Sequence, residues 1–350
     1  MGFVASASTI PGILISLPAA SLSDIFGRRK VLLASSIVFA SAPFLYLLIN
    51  SWWQLILVRF YHGFATAVFV PVAEASVAEQ FPAKRGERIS LFSSVTAVGR
   101  AIAPFLGGYI LFLTDFGYHT LYLVVGIAGV TALITALLFL AERKSSAIKP
   151  EGSKGTVLRM LHGWRSVAKN RGVQAVSFIQ ASQYYTYGAV EFFLVGYLID
   201  IVQLDSLSFG TIMGSQIVAV ILAKPYMGRI SDKIGRRIPI VAGSLVSSLP
   251  LLAIPFVTQF PVLLPLSITY GLGFAMVTSS TPALVSELVP ASFVGTAMGF
   301  LSTIMDVGQT LGPIVTGMLL ATNMAYIGSF FALAAVLLVS CLIFVASRIA

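Results

Sequence analysis

Glu191 lies in a run of residues, 173 to 199, that is otherwise apolar enough to sit in hydrocarbon. Gln180, Tyr184, Tyr187 and Glu191 are spaced 4, 3 and 4 apart, so a helix through this run carries one polar and aromatic face. Arg59, Glu74, Arg100, Lys224 and Asp306 also fall inside apolar runs. A charge near the centre of a membrane helix costs about 2.5 to 3.5 kcal/mol on insertion scales, so each needs an ionic partner or an aqueous cavity. Lys224 and Glu74 lie toward one end of their runs and are expected to reach the headgroups along their own stems. Glu191 has a structural alternative, an ion pair with Arg59 or Arg100. Arg100 shares a face with Ser93 and Thr96 and is a possible contact for an anion, Asp306 stands with Gln309 and Thr310, and His62 lies beside Arg59.

A second constellation lies between the apolar runs and occurs twice. Ser23, Asp24, Gly27, Arg28 and Arg29 are matched, 208 residues on, by Ser231, Asp232, Gly235, Arg236 and Arg237. Glycine permits a tight reversal between helices, arginines stay among headgroups, and the aspartate can accept from a guanidinium or a helix N-terminus. Such a cluster can be made in one conformation and broken in another. The register continues: Gly63, Ala67, Glu79, Pro82 and Ala83 match Gly271, Ala275, Glu287, Pro290 and Ala291. One residue later, Gly99, Pro104 and Gly108 match Gly308, Pro313 and Gly317. Thirteen matches at helix and loop ends of the same kind argue for duplicated halves.

The elements that position these residues are legible from composition. The 350-residue chain is 57% hydrophobic and 10% charged, with a mean hydropathy of +0.93, which a soluble surface does not allow but lipid-covered helices do. Apolar runs long enough to cross a bilayer core, roughly 20 residues each, are placed at 3 to 22, 31 to 49, 53 to 79, 89 to 113, 119 to 141, 173 to 199, 207 to 227, 239 to 258, 261 to 286, 293 to 320 and 325 to 347. The only long break, Glu142 to Gly172, divides a bundle over 1–141 from a bundle over 173–350 and is expected to be a cytoplasmic linker over 142–172. Val157, Leu161, Trp164 and Ala168 fall on one helical face there, so part of it could lie on the membrane surface, or it is simply a solvated linker.

Nineteen of the 22 Lys and Arg residues fall in alternate loops, and the intervening loops contain none. This puts the linker and the C-terminus on the cytoplasmic side and accounts for the net charge of +9 without nucleic acid. The first run has no basic residue before it and is not read as a signal peptide. Eleven crossings then place Met1 outside. The repeat locates the partner of the 173 to 199 run before Met1, so twelve helices are expected, with the first of the set not represented.

These residues resemble the major facilitator superfamily of secondary transporters, across essentially the whole chain. Its loop signature, Gly-x-Leu-x-Asp-x-x-Gly-Arg-Arg-Lys, reads here Ala20, Leu22, Asp24, Gly27, Arg28, Arg29, Lys30, and again Gly228, Ile230, Asp232, Gly235, Arg236, Arg237. The resemblance implies an all-α membrane fold of two bundles related by a pseudo-twofold repeat. It also implies that the signature latches the cytoplasmic side, with Glu79, Arg85 and Glu287 as partners. Leu55, Arg59, Gly63 and Ala67 resemble a family stretch whose arginine is associated with proton movement. Gly99, Pro104, Gly107 and Gly108 resemble an element typical of exporters that exchange drug for proton. Ala103 stands where that element has glycine, and its second copy, Gly308, Gly312, Pro313 and Gly317, lacks the final pair, so plain helix packing is an equal reading. The family also places the Glu191 helix against a central cavity, where the carboxylate could carry a proton or bind a cationic solute.

The expected function is secondary transport of a small solute by alternating access, powered by protons, with efflux of a hydrophobic or cationic compound ahead of uptake of a sugar or organic acid. A non-transporting receptor or scaffold on the same fold is the alternative from another class. The expected partners are solute, protons and lipid, the expected location is the cell membrane, and the chain is expected to act as a monomer. Catalysis is not expected, because Gly-x-Ser-x-Gly, His-Glu-x-x-His and phosphate-loop patterns are absent from the sequence. His62, His119 and His162 have no metal spacing, no cofactor is expected, and the single Cys341 forms no intrachain disulfide.

Overall fold

The computed structural model describes residues 2–15, 23, 26–81, 85–140, 169–290, 294–322 and 325–347, the side chains of 78, 79, 85–87, 89, 90 and 294–296 excepted. Among these residues the fold is all α, with no strand. The helices are α1 (Gly2–Ser6), α2 (Arg28–Tyr46), α3 (Trp52–Gln80), α4 (Arg85–Leu113), α5 (Tyr118–Phe139), α6 (Arg171–Asp200), α7 (Ser206–Ile234), α8 (Arg237–Ala253), α9 (Phe260–Glu287), α10 (Val294–Leu320) and α11 (Ala325–Ala346). The interior of the linker, Asp24 and Arg348 lie outside the described residues, as do the side chains of Glu79 and Arg85.

The first expected span is not one helix. Residues 7–9 form a turn after α1, and helix resumes over 10–15. Pro11 supplies the reason, since it has no N–H to give and its ring clashes with the carbonyl four residues back. The chain bonds instead with a shorter reach, Thr9 N to the Ser6 carbonyl and Gly12 N to the Thr9 carbonyl, both at 3.0 Å.

Eight helices of the described chain are long and apolar enough to cross a bilayer by composition, and α6 and α10 are not among them. They are nevertheless 30 and 27 residues long. In α6 the physical reason is burial inside its own bundle. Ser177, Gln180, Ser182, Gln183 and Thr186 are all buried, and Gln180, Gln183 and Thr186 are bonded to side chains of neighbouring helices. At the other extreme α5 is apolar all round and buries only Gly126, as a helix solvated by lipid can.

The chain forms two compact units. One comprises Phe3–Ile102 with the chain from Tyr109 to the linker, and the other comprises the chain after the linker together with Ala103–Gly108. Within the first, α2 packs on α3 and on α5. Within the second, the corresponding α8 packs on α9 and on α11. The duplication read from loop residues is thus repeated in which helices touch. In the core of the second unit Val176 and Ile179 of α6, Ile240 of α8, Val285 of α9, Leu301 of α10 and Phe344 of α11 meet.

Since lipid is as apolar as leucine, helices in a membrane associate through close packing and polar bonds. Both are present. A Cβ on Gly126 of α5 would lie 2.7 Å from the Phe44 ring of α2. In the second unit, Cβ atoms on Gly308 and Gly312 of α10 would overlap the Ala181 and Tyr185 carbonyls of α6, and one on Gly188 would meet the Gln309 carbonyl at 2.6 Å. The polar bonds cross between helices: Thr281 to Gln180 Oε1 at 2.5 Å, Ser267 to Gln216 Oε1 at 3.1 Å, and Tyr270 to Thr186 Oγ1 at 3.3 Å.

Candidate functional site

The loop clusters are built by the backbone first. Gly27 and Gly235 are the two glycines at positive φ among the described residues, at φ 91, ψ 135 and φ 87, ψ 154. No atom lies within 4 Å of a Cβ at either, so conformation and not space calls for glycine. The reversal aims the next two arginines at different targets. Arg28 bonds the buried Ser23 hydroxyl, and Arg236 bonds Ser231 at 3.3 Å. Arg29 donates to the Leu140 carbonyl at 2.7 Å, and Arg237 to the Val345 carbonyl at 2.8 Å. Each second arginine therefore satisfies a carbonyl at the C-terminal end of the last helix of its own bundle, where the helix dipole also favours a cation.

In the second bundle the network is described further. Arg236 bonds Asp232 in the last turn of α7 and reaches Glu287, the last residue of α9, at 3.0 Å. Desolvation works against the charged guanidinium, but hydrogen bonds and charge from Glu287 and Asp232 outweigh it and raise its proton affinity further. The two carboxylates are 54% and 62% exposed, so this is a headgroup-level cluster that can open without stranding a buried charge. Nearby, Asn170 accepts from Gly172 N and Val173 N at 2.9 and 3.2 Å, capping α6, while its amide donates to the Leu288 carbonyl at 3.2 Å beyond the end of α9.

The face predicted on α6 divides. Gln180 is buried and occupied by Thr281. Tyr184 and Tyr187 turn toward α9, with Phe274 stacked on Tyr187 at 4.8 Å between centroids and edge-on to Tyr184 at 5.2 Å. The Lys224 ammonium of α7 lies 6.0 Å from the same Phe274 ring. Glu191, one turn past Tyr187, is exposed. Lys224 thus has an aromatic neighbour within its own bundle. It precedes the end of α7 at Ile234 by ten residues, about 15 Å along the axis, and it meets an aromatic ring that attracts cations. Nothing in the sequence marked Phe274 among 25 phenylalanines.

In the first bundle, Arg59 Nη2 donates to the Ala5 carbonyl at 3.3 Å and to Ser8 Oγ at 3.5 Å, tying α3 to the first segment. His62 stands 3.5 Å from the Tyr46 hydroxyl and edge-on to Phe39, and Tyr46 stacks on Tyr122 at 4.7 Å. Arg100 is exposed on α4. Asp306 is half-buried on α10, where its backbone carbonyl accepts from Thr310 at 2.8 Å. No cluster of three metal-ligating side chains is found among the described residues.

The glycine and proline elements differ between copies. Gly99 and Gly107 face open space. Gly108, in the stretch grouped with the second unit, is close-packed: a Cβ there would lie 2.6 Å from the Ser206 carbonyl, and one on Gly210 would lie 2.7 Å from the Pro104 carbonyl. Gly312, next to Pro313, packs on α6 as described above.

This arrangement can be set beside known proteins. The chain is 27% identical to the multi-drug resistance efflux pump PmrA of Streptococcus pneumoniae over 349 residues, 97% of this chain and 84% of that protein. It is 27% identical to the multidrug resistance protein MdtG of Dickeya zeae, over 84% of this chain and 71% of that one. In structure it superposes on a bacterial homolog of the human lysosomal transporter Spinster, inward-facing and unoccupied, with a TM-score of 0.81 at 16% identity, covering 99% of this chain and 89% of the other. The nucleoside transporter NupG gives 0.80 at 18% identity, covering 99% and 90%. The sequence pattern of one family matches residues 1–194 and again 176–349. With paired glycine and arginine turns, repeated helix contacts and this match over both halves, the chain belongs to the Major Facilitator Superfamily of transporters.

Proposed function

We propose that this protein is a proton-coupled exporter of small organic solutes that are hydrophobic or carry a positive charge, with Glu191 exchanging proton for solute. The observation that carries the reading is an exposed carboxylate one turn beyond Tyr187, on a helix whose neighbouring side chains are held by buried bonds. A carboxylate in that setting binds either a proton or a cation, not both, and this exclusion is what antiport needs. The efflux names of PmrA and MdtG support the direction.

In this reading the bundles over 1–141 and 173–350 alternate in access, joined by the linker over 142–172. The clusters of Asp24, Gly27, Arg28 and Arg29 with Glu79 and Arg85, and of Asp232, Gly235, Arg236 and Arg237 with Glu287, form the cytoplasmic latch. Arg59, Arg100 and Asp306 are further charge candidates. The linker and C-terminus are cytoplasmic, the protein works as a monomer in the cell membrane, and it performs no bond-making chemistry. The exposure of Arg100 supports a second reading, uptake of an anionic solute.

The test is transport by purified protein in vesicles with an imposed pH gradient. Glu191→Gln should abolish pH-driven flux while leaving the protein monodisperse. Unchanged pH dependence in that variant removes Glu191 from the coupling, and dependence on Arg100 with anionic solutes favours uptake.

A further inference from the structure

The second bundle places a cation beside one aromatic group and a carboxylate one helical turn beyond it on α6. Phe274 is buried, and three side chains from two other helices are arranged around it: Tyr187 stacked at 4.8 Å, Tyr184 edge-on at 5.2 Å, and the Lys224 ammonium at 6.0 Å from the ring centre. Phe274 therefore serves as the fixed back of the cluster, and the half-buried Tyr184, Tyr187 and Lys224 form its accessible front. Glu191 continues the Tyr184 and Tyr187 face of α6 by four residues, about 6 Å along the helix axis.

This front selects by charge as well as by shape. A simple aromatic cation that fits the two tyrosines is repelled by Lys224, and a simple aromatic anion is repelled by Glu191. A molecule with a planar ring, a carboxylate at one end and an ammonium at the other meets both charges favourably while its ring lies on the tyrosines. We infer that the face formed by Tyr184, Tyr187, Lys224 and Glu191 binds amphoteric aromatic solutes, with the solute carboxylate at Lys224 and its ammonium at Glu191. The inference rests on the proposed reading that this face of the second bundle is where solute binds. It narrows the class from positively charged compounds in general to those that also carry an acid.

Three para-substituted benzenes of nearly equal size test it on the purified full-length protein by equilibrium dialysis: 4-(aminomethyl)benzoate, 4-methylbenzoate and 4-methylbenzylammonium. The wild type is expected to bind the amphoteric probe at least about tenfold more tightly than either singly charged one, a difference of roughly 1.4 kcal/mol. Lys224→Gln should transfer the preference to 4-methylbenzylammonium, and Glu191→Gln should transfer it to 4-methylbenzoate. A crossed swap of this kind cannot arise from general unfolding, which weakens all three probes together. Lys224→Arg should keep the wild-type order.

Equal affinities in the wild type, or a Lys224→Gln variant that keeps the wild-type order, would overturn the inference. Driving 4-(aminomethyl)benzoate and, in parallel, ethidium out of vesicles with a pH gradient separates this from the broader proposal. Ethidium flux without the probe pattern leaves coupled export standing and removes the amphoteric class. The probe pattern without pH-driven flux of either compound retains the class and removes the coupling.

Discussion

Arg29 and Arg237, 208 residues apart, make the same bond in the two halves of the chain: each guanidinium donates to a carbonyl at the C-terminal end of the last helix of its own bundle, Leu140 at 2.7 Å and Val345 at 2.8 Å. The second arginine of each pair is thus a fastener within a bundle, while the first joins the loop cluster. Replacing either Arg29 or Arg237 with alanine is expected to cost about 1 kcal/mol, read as a lower Tm in detergent. Because the two sites lie in separate units, the double variant should lose the sum. A double variant no worse than either single one would show that the two bonds do not stabilise their bundles independently.

Gly27→Ala and Gly235→Ala should each destabilise by about 1 to 3 kcal/mol through backbone strain alone. Space is not at issue, since nothing lies within 4 Å of a Cβ at either position. Serine should cost as much as alanine, and a D-alanine introduced by semisynthesis should restore stability. Wild-type Tm in the alanine variants would contradict the positive φ angles.

Gly312→Leu and Gly99→Leu separate two copies of one motif. At Gly312 the new side chain meets the Tyr185 carbonyl, and the α6–α10 contact must open. The expected loss is about 1 to 3 kcal/mol or more. At Gly99 there is open space, and stability should be nearly unchanged. Equal losses at both positions would remove the packing distinction drawn between them.

Asp205 caps α7, accepting from Ser208 N at 3.0 Å and from the Ser208 hydroxyl at 2.7 Å. Slight burial opposes its charge, yet these bonds and further backbone N–H groups outweigh that and hold the carboxyl below its usual value. A folded-state value below the unfolded one gives stability that is fully present above about pH 4 and is lost as pH falls through the lower folded value. Asp205→Ala is expected to cost about 1 kcal/mol at neutral pH. The difference from wild type should shrink in acid, measured as Tm against pH. A gap that widened in acid would reverse the sign argued here.

The repeat, the turns and most helices were legible because their signals are chemical and local. A glycine followed by arginines marks a reversal at the headgroups, and twenty apolar residues mark a crossing. The first span was misread as continuous because Pro11 breaks it without lowering its hydropathy. The shared face of Tyr184 and Tyr187 was legible from their spacing, and both rings meet Phe274. Gln180, on the same face by periodicity, proved to be a buried partner of Thr281, 101 residues away. Which side of a polar stripe meets protein and which meets water depends on neighbours that periodicity does not name. Phe274 was illegible for the same reason, and so was its contact with Lys224.

The glycines that let α10 touch the backbone of α6 also limit how the proposed solute face can change. Helices locked carbonyl to Cα have no slack for sliding or tilting, so the surface holding Tyr184, Tyr187 and Glu191 is carried by a two-helix plank. New solute preferences are then reached by exchanging the side chains on that plank one at a time, and a protein of this design should acquire altered specificity through point changes at its face far more readily than through shifts of its frame.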